Sequence, residues 1–265
     1  MSLYLYVLFW LISFGASIAG AICGIGGGVI IKPTLDAFGV LSVSTISFLS
    51  GCTVLAMTCY SVIKGKMSGE SLIDMHTGTP LAIGAAIGGV VGKSMFQMLS
   101  DLFTDKDMVG AVQAACLLLI TLGTLIYTLK KDRIRTMKVK NLAACVAIGL
   151  VLGIFSSFLG IGGGPINLVV LFYFFSMDTK TAAQNSLYII LFSQITSLLN
   201  SLVTKTVPDF SIWLLVLMTA GGILGGMSGR KINKRIDGHV VDKLFIILMV
   251  VIMGINVYNI YQFLH

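Results

Sequence analysis

The chain has 265 residues, 56% of them hydrophobic and only 11% charged, where a soluble domain carries about 25% charged residues. That balance excludes a soluble globular fold and describes a polytopic membrane protein, with no length left for a second, soluble domain. The net charge of +7 does not point to nucleic acid, because the basic residues lie in short loops between apolar segments, as membrane topology requires.

In chain order, ten apolar segments run over 3–22, 29–41, 43–63, 78–99, 108–129, 141–158, 165–177, 181–203, 210–229 and 241–263. The first lacks a basic n-region and is long for a signal peptide, so it reads as a retained span. Most segments have the ~20 residues that cross a bilayer. Segments 29–41 and 165–177 have about 13 residues, some 20 Å of helix, too short alone for a ~30 Å hydrocarbon core. Each is expected to be a half-helix that starts inside the membrane. Five cysteines fall in apolar stretches with no CxxC pair and read as free thiols.

Both short segments follow a glycine run, Gly24-Ile25-Gly26-Gly27-Gly28 and Gly160-Ile161-Gly162-Gly163-Gly164. Broken backbone in lipid survives only where it is buried in protein or lines a cavity. One such run would fit a tight helix crossing through small residues; two at matched positions point to breaks flanking a binding site. The match extends along the chain. Ser50 and Ser186 keep the offset of 136, the stretch Gly84–Lys93 matches Gly221–Arg230 at 137, and Gly123 and Tyr127 match Gly254 and Tyr258 at 131. The chain is a duplication, with 1–129 the first repeat, 130–140 a basic cytoplasmic linker and 141–265 the second repeat.

Charge then sets the expected topology. If all ten segments cross and the linker is cytoplasmic, inner loops hold 15 of the 18 Lys and Arg residues, and only Lys93, Lys106 and Lys205 lie outside. Five segments per repeat is odd, so the two halves are inverted. The expected fold is an all-α polytopic membrane protein of about ten segments in two inverted five-segment repeats, with short or broken helices after the glycine runs.

Catalysis is not expected. The apolar segments hold almost no Asp, Glu or His, and His76, His239 and His265 sit in loops or at the terminus without metal-ligand spacing. No cofactor and no metal are expected. What lies inside the membrane is polar and neutral: Ser47 and Ser50 in the third segment, Asn167 after the second run, and Gln184, Asn185 and Ser186 in the eighth. With backbone N–H groups from Gly26, Gly27, Gly28, Gly162, Gly163 and Gly164, these twelve residues suit a small anion at the repeat interface; interhelical hydrogen bonding is the alternative for the side chains. Gln194, farther along the eighth segment, is expected to matter less. Lys32 is expected to snorkel to the inner interface. Asp36 and Asp178 fall at segment ends, so anion exit uncoupled from protons is expected.

The paired order of these motifs resembles the sulfite exporter family named after TauE and SafE, also called the toluene sulfonate uptake permease family. The shared features are the glycine run opening each half, Pro33 after the first, the polar-Ser pair in the following helix, and the Gly-rich segments ending Gly92-Lys93 and Gly229-Arg230. Gln184-Asn185-Ser186 departs from the more usual Gly-Thr-Ser or Ala-Thr-Ser. The resemblance implies a multi-pass transporter of the cytoplasmic membrane that exports sulfite, sulfoacetate or other organosulfonates by alternating access. An anion channel, or an uptake permease for another small anion, is the alternative. The partners implied are the anionic substrate and membrane lipid, not nucleic acid; a homo-oligomer is left open.

Overall fold

The structure, a computed structural model, describes residues 3–103 and 106–264. His265 and the side chain of Lys106 lie outside the described residues. Among the described residues there are ten α-helices: α1 (Leu3–Cys23), α2 (Gly28–Asp36), α3 (Val43–Met67), α4 (Met75–Leu102), α5 (Lys106–Lys130), α6 (Leu142–Phe158), α7 (Pro165–Phe175), α8 (Thr179–Val203), α9 (Ile212–Arg235) and α10 (Gly238–Leu264). Among the described residues there is no strand.

Helix starts follow from local chemistry. Ser42 caps α3 by accepting from Thr45 N, and Asp178, its counterpart at offset 136, caps α8 by accepting from Lys180 N and Thr181 N. Pro165 opens α7 at a position where a missing N–H costs nothing. The glycine runs end α1 and α6 because their backbone turns left-handed at Gly24, Gly26, Gly160 and Gly162, with φ between 65° and 75°.

Among the described residues, seven helices are long and apolar enough to cross a membrane; α6 and α7 are shorter apolar helices. With nine and eleven residues, α2 and α7 extend about 14 and 17 Å, well short of a hydrocarbon core. The α2 helix also stops earlier than the apolar stretch does, because the chain leaves it through turns ending at Gly39, φ 61°.

Packing obeys the sequence offsets. α1 lies along α9 and α6 along α4, α3 meets α9 and α8 meets α4, and α5 packs on α10. The seams are backbone against backbone. A Cβ on Gly84, Gly88 or Gly92 would fall 2.0–2.3 Å from carbonyl oxygens of α6, and one on Gly225 or Gly229 2.4 Å from those of α1. This is the small-residue packing typical of membrane helices, and it absorbs the Gly-rich segments that mark each repeat.

Outward faces are apolar: Ile83, Ile87, Val90, Met95, Trp213, Val216, Ile247 and Val250 are among many large side chains left exposed. A soluble monomer does not tolerate that much contiguous apolar surface; lipid requires it. Helix ends gather on two faces. On the basic face, the loop after α3 meets the end of α9 through Glu70 with Arg230 and Lys234, and the end of α5 meets the start of α10 through Lys131 and Asp242. On the opposite face, Thr45 at the start of α3 donates to the Asp209 carbonyl before α9, and Tyr6 of α1 bonds Ser211.

Candidate functional site

The two glycine runs meet at the centre of the molecule. A Cβ on Gly28 would lie 1.9 Å from the Ile161 carbonyl oxygen, and one on Gly26 3.4 Å from that of Gly162. Helices α3 and α8 flank them: Val54 closes on Gly162 and Gly28, Ile190 on Gly163 and Gly26. Gly24 presses against Ala183 and Gly160 against Ser47, and Ser47 and Ala183 are themselves counterparts at offset 136. Gly26, Gly27, Gly28, Gly162, Gly163 and Gly164 are thus brought together, all buried.

The polar residues divide into three groups. Ser50 and Ser186 are fully buried, and among the described residues their hydroxyls have no hydrogen-bond partner; nor has Oδ1 of the buried Asn167. Asn185 spends its amide on backbone: Nδ2 donates to the carbonyls of Leu72 and Thr181, and Oδ1 accepts from Asp74 N. It pins the loop between α3 and α4 onto α8. Gln184 helps through Oε1, which accepts from Leu72 N at 2.9 Å, and it also faces a cavity.

That cavity, about 390 Å³, opens on the basic face between α1, α3, α8 and α9. Lys180, Arg230 and Lys234 line it against the one carboxylate Glu70, with Ser61, Gln184 and Asn233 supplying neutral polar groups. Arg230 donates to the Ser61 carbonyl and Ser68 Oγ, each at 3.0 Å, and reaches Glu70 at 3.3 Å. Hydrogen bonds from Lys234 and Ser68, with the charges of Lys234 and Arg230, hold the Glu70 carboxyl below its ordinary range. Its inner end reaches Ala21 and Ala183, beside Gly24. A wider cleft of about 550 Å³ on the same face surrounds Lys131, but Asp242 already pairs with that cation.

A second, contracted chamber of about 10 Å³ lies toward the opposite face, lined by Ser47, Gly51, Lys93, Phe96, Ser157, Gly160, Gln194 and Ser197 among others. Eight of its ten lining residues have their repeat counterparts in the wall of the open cavity: Ser47 with Ala183, Gly51 with Leu187, Ser157 with Ala21, Ser197 with Ser61 and Lys93 with Arg230 are five of the pairs. The two spaces are thus lined by residues that correspond at sequence offsets of 136 and 137.

Two expectations about cations are corrected. Lys32 does not snorkel to an interface; it is 3% exposed and donates to Asp36 at 2.6 Å one turn along α2. The i,i+4 spacing gives it a partner inside the protein, and Asp36, though the last residue of α2, is buried as well. Lys93, expected on the outer side, does not reach out of its segment; it is buried in α4 at 8% exposure. Sequence reasoning passed over Lys93 and Arg230 as site residues. Their matched places after Gly92 and Gly229 were the available signal.

Residues 9–257 match the family described as Sulfite exporter TauE/SafE. The chain is also similar to a probable membrane transporter protein, YunE, of Bacillus subtilis (strain 168), 24% identical over 275 residues, covering 93% of this chain and 95% of the relative. No solved structure matches the chain.

Proposed function

Because the chain belongs to the sulfite exporter TauE/SafE family, a family of membrane transporters, we propose that it carries small sulfur-containing anions such as sulfite, sulfoacetate or other organosulfonates out across the cytoplasmic membrane. The observation that carries this reading is the pair of matched spaces, a basic cavity open on one face and its contracted counterpart toward the other. Two such spaces on either side of touching glycine runs are what alternating access at a repeat interface needs.

The repeats are taken as inverted in the membrane, with α2 and α7 each running from the central glycine runs to opposite faces. The basic face is taken as cytoplasmic, because Lys64, Lys66, the linker cations, Lys180 and the cluster Arg230–Arg235 gather there while Lys205 marks the other side. An anion collected at the basic cavity then leaves with an inside-negative potential, by ~2.3 kcal/mol per charge per 100 mV. The buried Lys32–Asp36 pair is neutral as a unit and leaves that driving force unchanged. The site proposed comprises the facing glycine runs, Ser47, Ser50, Asn167, Gln184 and Ser186, with Asn185 holding the neighbouring loop in place and Gln194 closing the far side.

Flux of labelled sulfite through purified protein in liposomes tests this. Saturable flux, competed by sulfoacetate, is expected. An ohmic current without saturation makes the protein a channel, and no flux of any of these anions contradicts the proposal.

A further inference from the structure

Lys93 is a cation without an evident partner in the interior of a membrane protein. It is more than nine-tenths buried, and among the described residues no carboxylate and no hydrogen-bond acceptor is paired with it; its contact is the face of Phe96, 5.0 Å from the ammonium to the ring centroid. Arg230, its counterpart in the other half, has Glu70. Lys32, whose Cε approaches the Gly160 position on the same side, has Asp36. Of these three cations, Lys93 alone has no such partner among the described residues. Ionisable side chains persist in membranes where they pair with one another or line a transport path, and an isolated buried charge is too costly to keep without such a use.

The surroundings of Lys93 suit an anion. Ser47, Ser157, Gln194 and Ser197 line the contracted chamber with it, and no Asp or Glu does. The Ser47 hydroxyl is buried with no hydrogen-bond partner. Gln194 presents its amide at the boundary between Gly51 of α3 and Gly162 of the second glycine run.

We propose that this chamber is an anion-binding site of the transport path, with the Lys93 ammonium as ligand to the charge of a small oxyanion and Ser47 and Gln194 donating to its oxygens. The proposal rests on the anion-transport reading above and names a substrate-binding residue for it. A space of about 10 Å³ holds no more than a water, so the site is filled in the alternate state, when the chamber has opened toward the opposite face and the basic cavity has contracted. A compact ammonium on a flexible stem follows an anion through such a change in size better than a planar guanidinium does.

The test is binding and flux measured side by side on Lys93→Met, Lys93→Gln and the parent, with sulfite and sulfoacetate as probes and air excluded. Calorimetry and the ligand-induced shift in melting temperature report binding in detergent; liposomes report flux. Lys93→Met is expected to lose about ten- to a hundred-fold in sulfite affinity, the usual worth of one charged hydrogen-bond partner, while melting without ligand at or above the parental temperature. Lys205→Gln, on the same face but exposed, is expected to bind like the parent. Lys93 variants that bind and transport like the parent overturn the proposal. So do variants, Lys93→Gln included, that melt well below the parent without ligand, because Lys93 then serves packing. A parent that binds sulfite through Lys93 but moves none leaves the site standing and contradicts the transport reading instead. A parent that binds neither probe overturns the site.

Discussion

Lys32 and Asp36 form the one ion pair buried on both sides among the described residues, at 4% and 5% side-chain exposure. Removing one partner of such a pair leaves a stranded charge. Asp36→Ala is therefore expected to cost about 3–5 kcal/mol, while replacing both, Lys32→Met with Asp36→Leu, is expected to restore most of it; unfolding in detergent for the two singles and the double measures the coupling. Glycines divide as sharply. Gly28→Ala drives a methyl group into the Ile161 carbonyl, whereas Gly123 and Gly254 have nothing within 4 Å of an added Cβ. Gly28→Ala is expected to abolish the folded protein, and Gly123→Ala to be neutral or stabilising by up to about 1 kcal/mol from helix propensity, read as yield of monodisperse protein and melting temperature. At the open cavity, Glu70 is ionised across the neutral range because its carboxyl is held low. A depressed carboxylate keeps its pairing above the ordinary glutamate range and loses it only as pH falls below that range. Anion binding at this cavity is thus expected to be flat from about pH 6 to 8 as far as Glu70 is concerned. Glu70→Gln, which frees Arg230 and Lys234, is expected to tighten it a few-fold; weaker binding in that variant contradicts an electrostatic role for the cavity.

The glycine runs and the short helices after them define the working element. Gly163 sits at φ 138°, and a Cβ there would meet Ile190 at 2.3 Å. Gly163→Val is expected to abolish transport where Ser186→Ala lowers affinity by about ten- to a hundred-fold, measured on variants matched for folding. Gly88→Leu is expected to split the α4–α6 seam, because the side chain has to displace the Leu150 carbonyl, and to appear as loss of folded protein. Most helix positions were legible from hydropathy and caps: eight of the ten expected segments agree with an observed helix within four residues at each end, α2 is shorter because its apolar stretch ends in turns, and α9 runs six residues beyond its apolar stretch through the basic cluster to Arg235. The repeat is read from the spacing of small residues, the part of the pattern that one sequence carries. Side-chain direction was not. Asn185 was expected in the site on its place after the break, but its amide holds a loop more than a hundred residues away in the chain, a partner no local pattern reveals. The burial of Lys93 was not legible either, because hydropathy alone does not separate a cation near the outer end of a helix from one turned into the protein. Gln194 gained its place beside Gly51 only through the approach of α8 to α3 of the other half.

At the scale of the molecule, the account requires two faces and one site reached from each in turn. Gly238→Cys is expected to react with permeant reagents only, and Asp209→Cys with impermeant reagents from outside; finding both on one side contradicts the proposed topology. The central claim is the exchange of open and closed states between the matched spaces, and Ser61 and Ser197 are counterparts that line one each. The most direct measurement is thiol reactivity of Ser61→Cys and Ser197→Cys, in a background without the five native cysteines, with and without sulfite. A reciprocal change is expected: conditions that expose position 197 protect position 61. Two positions that open together, or a position 197 that never reacts under any anion gradient, contradict it.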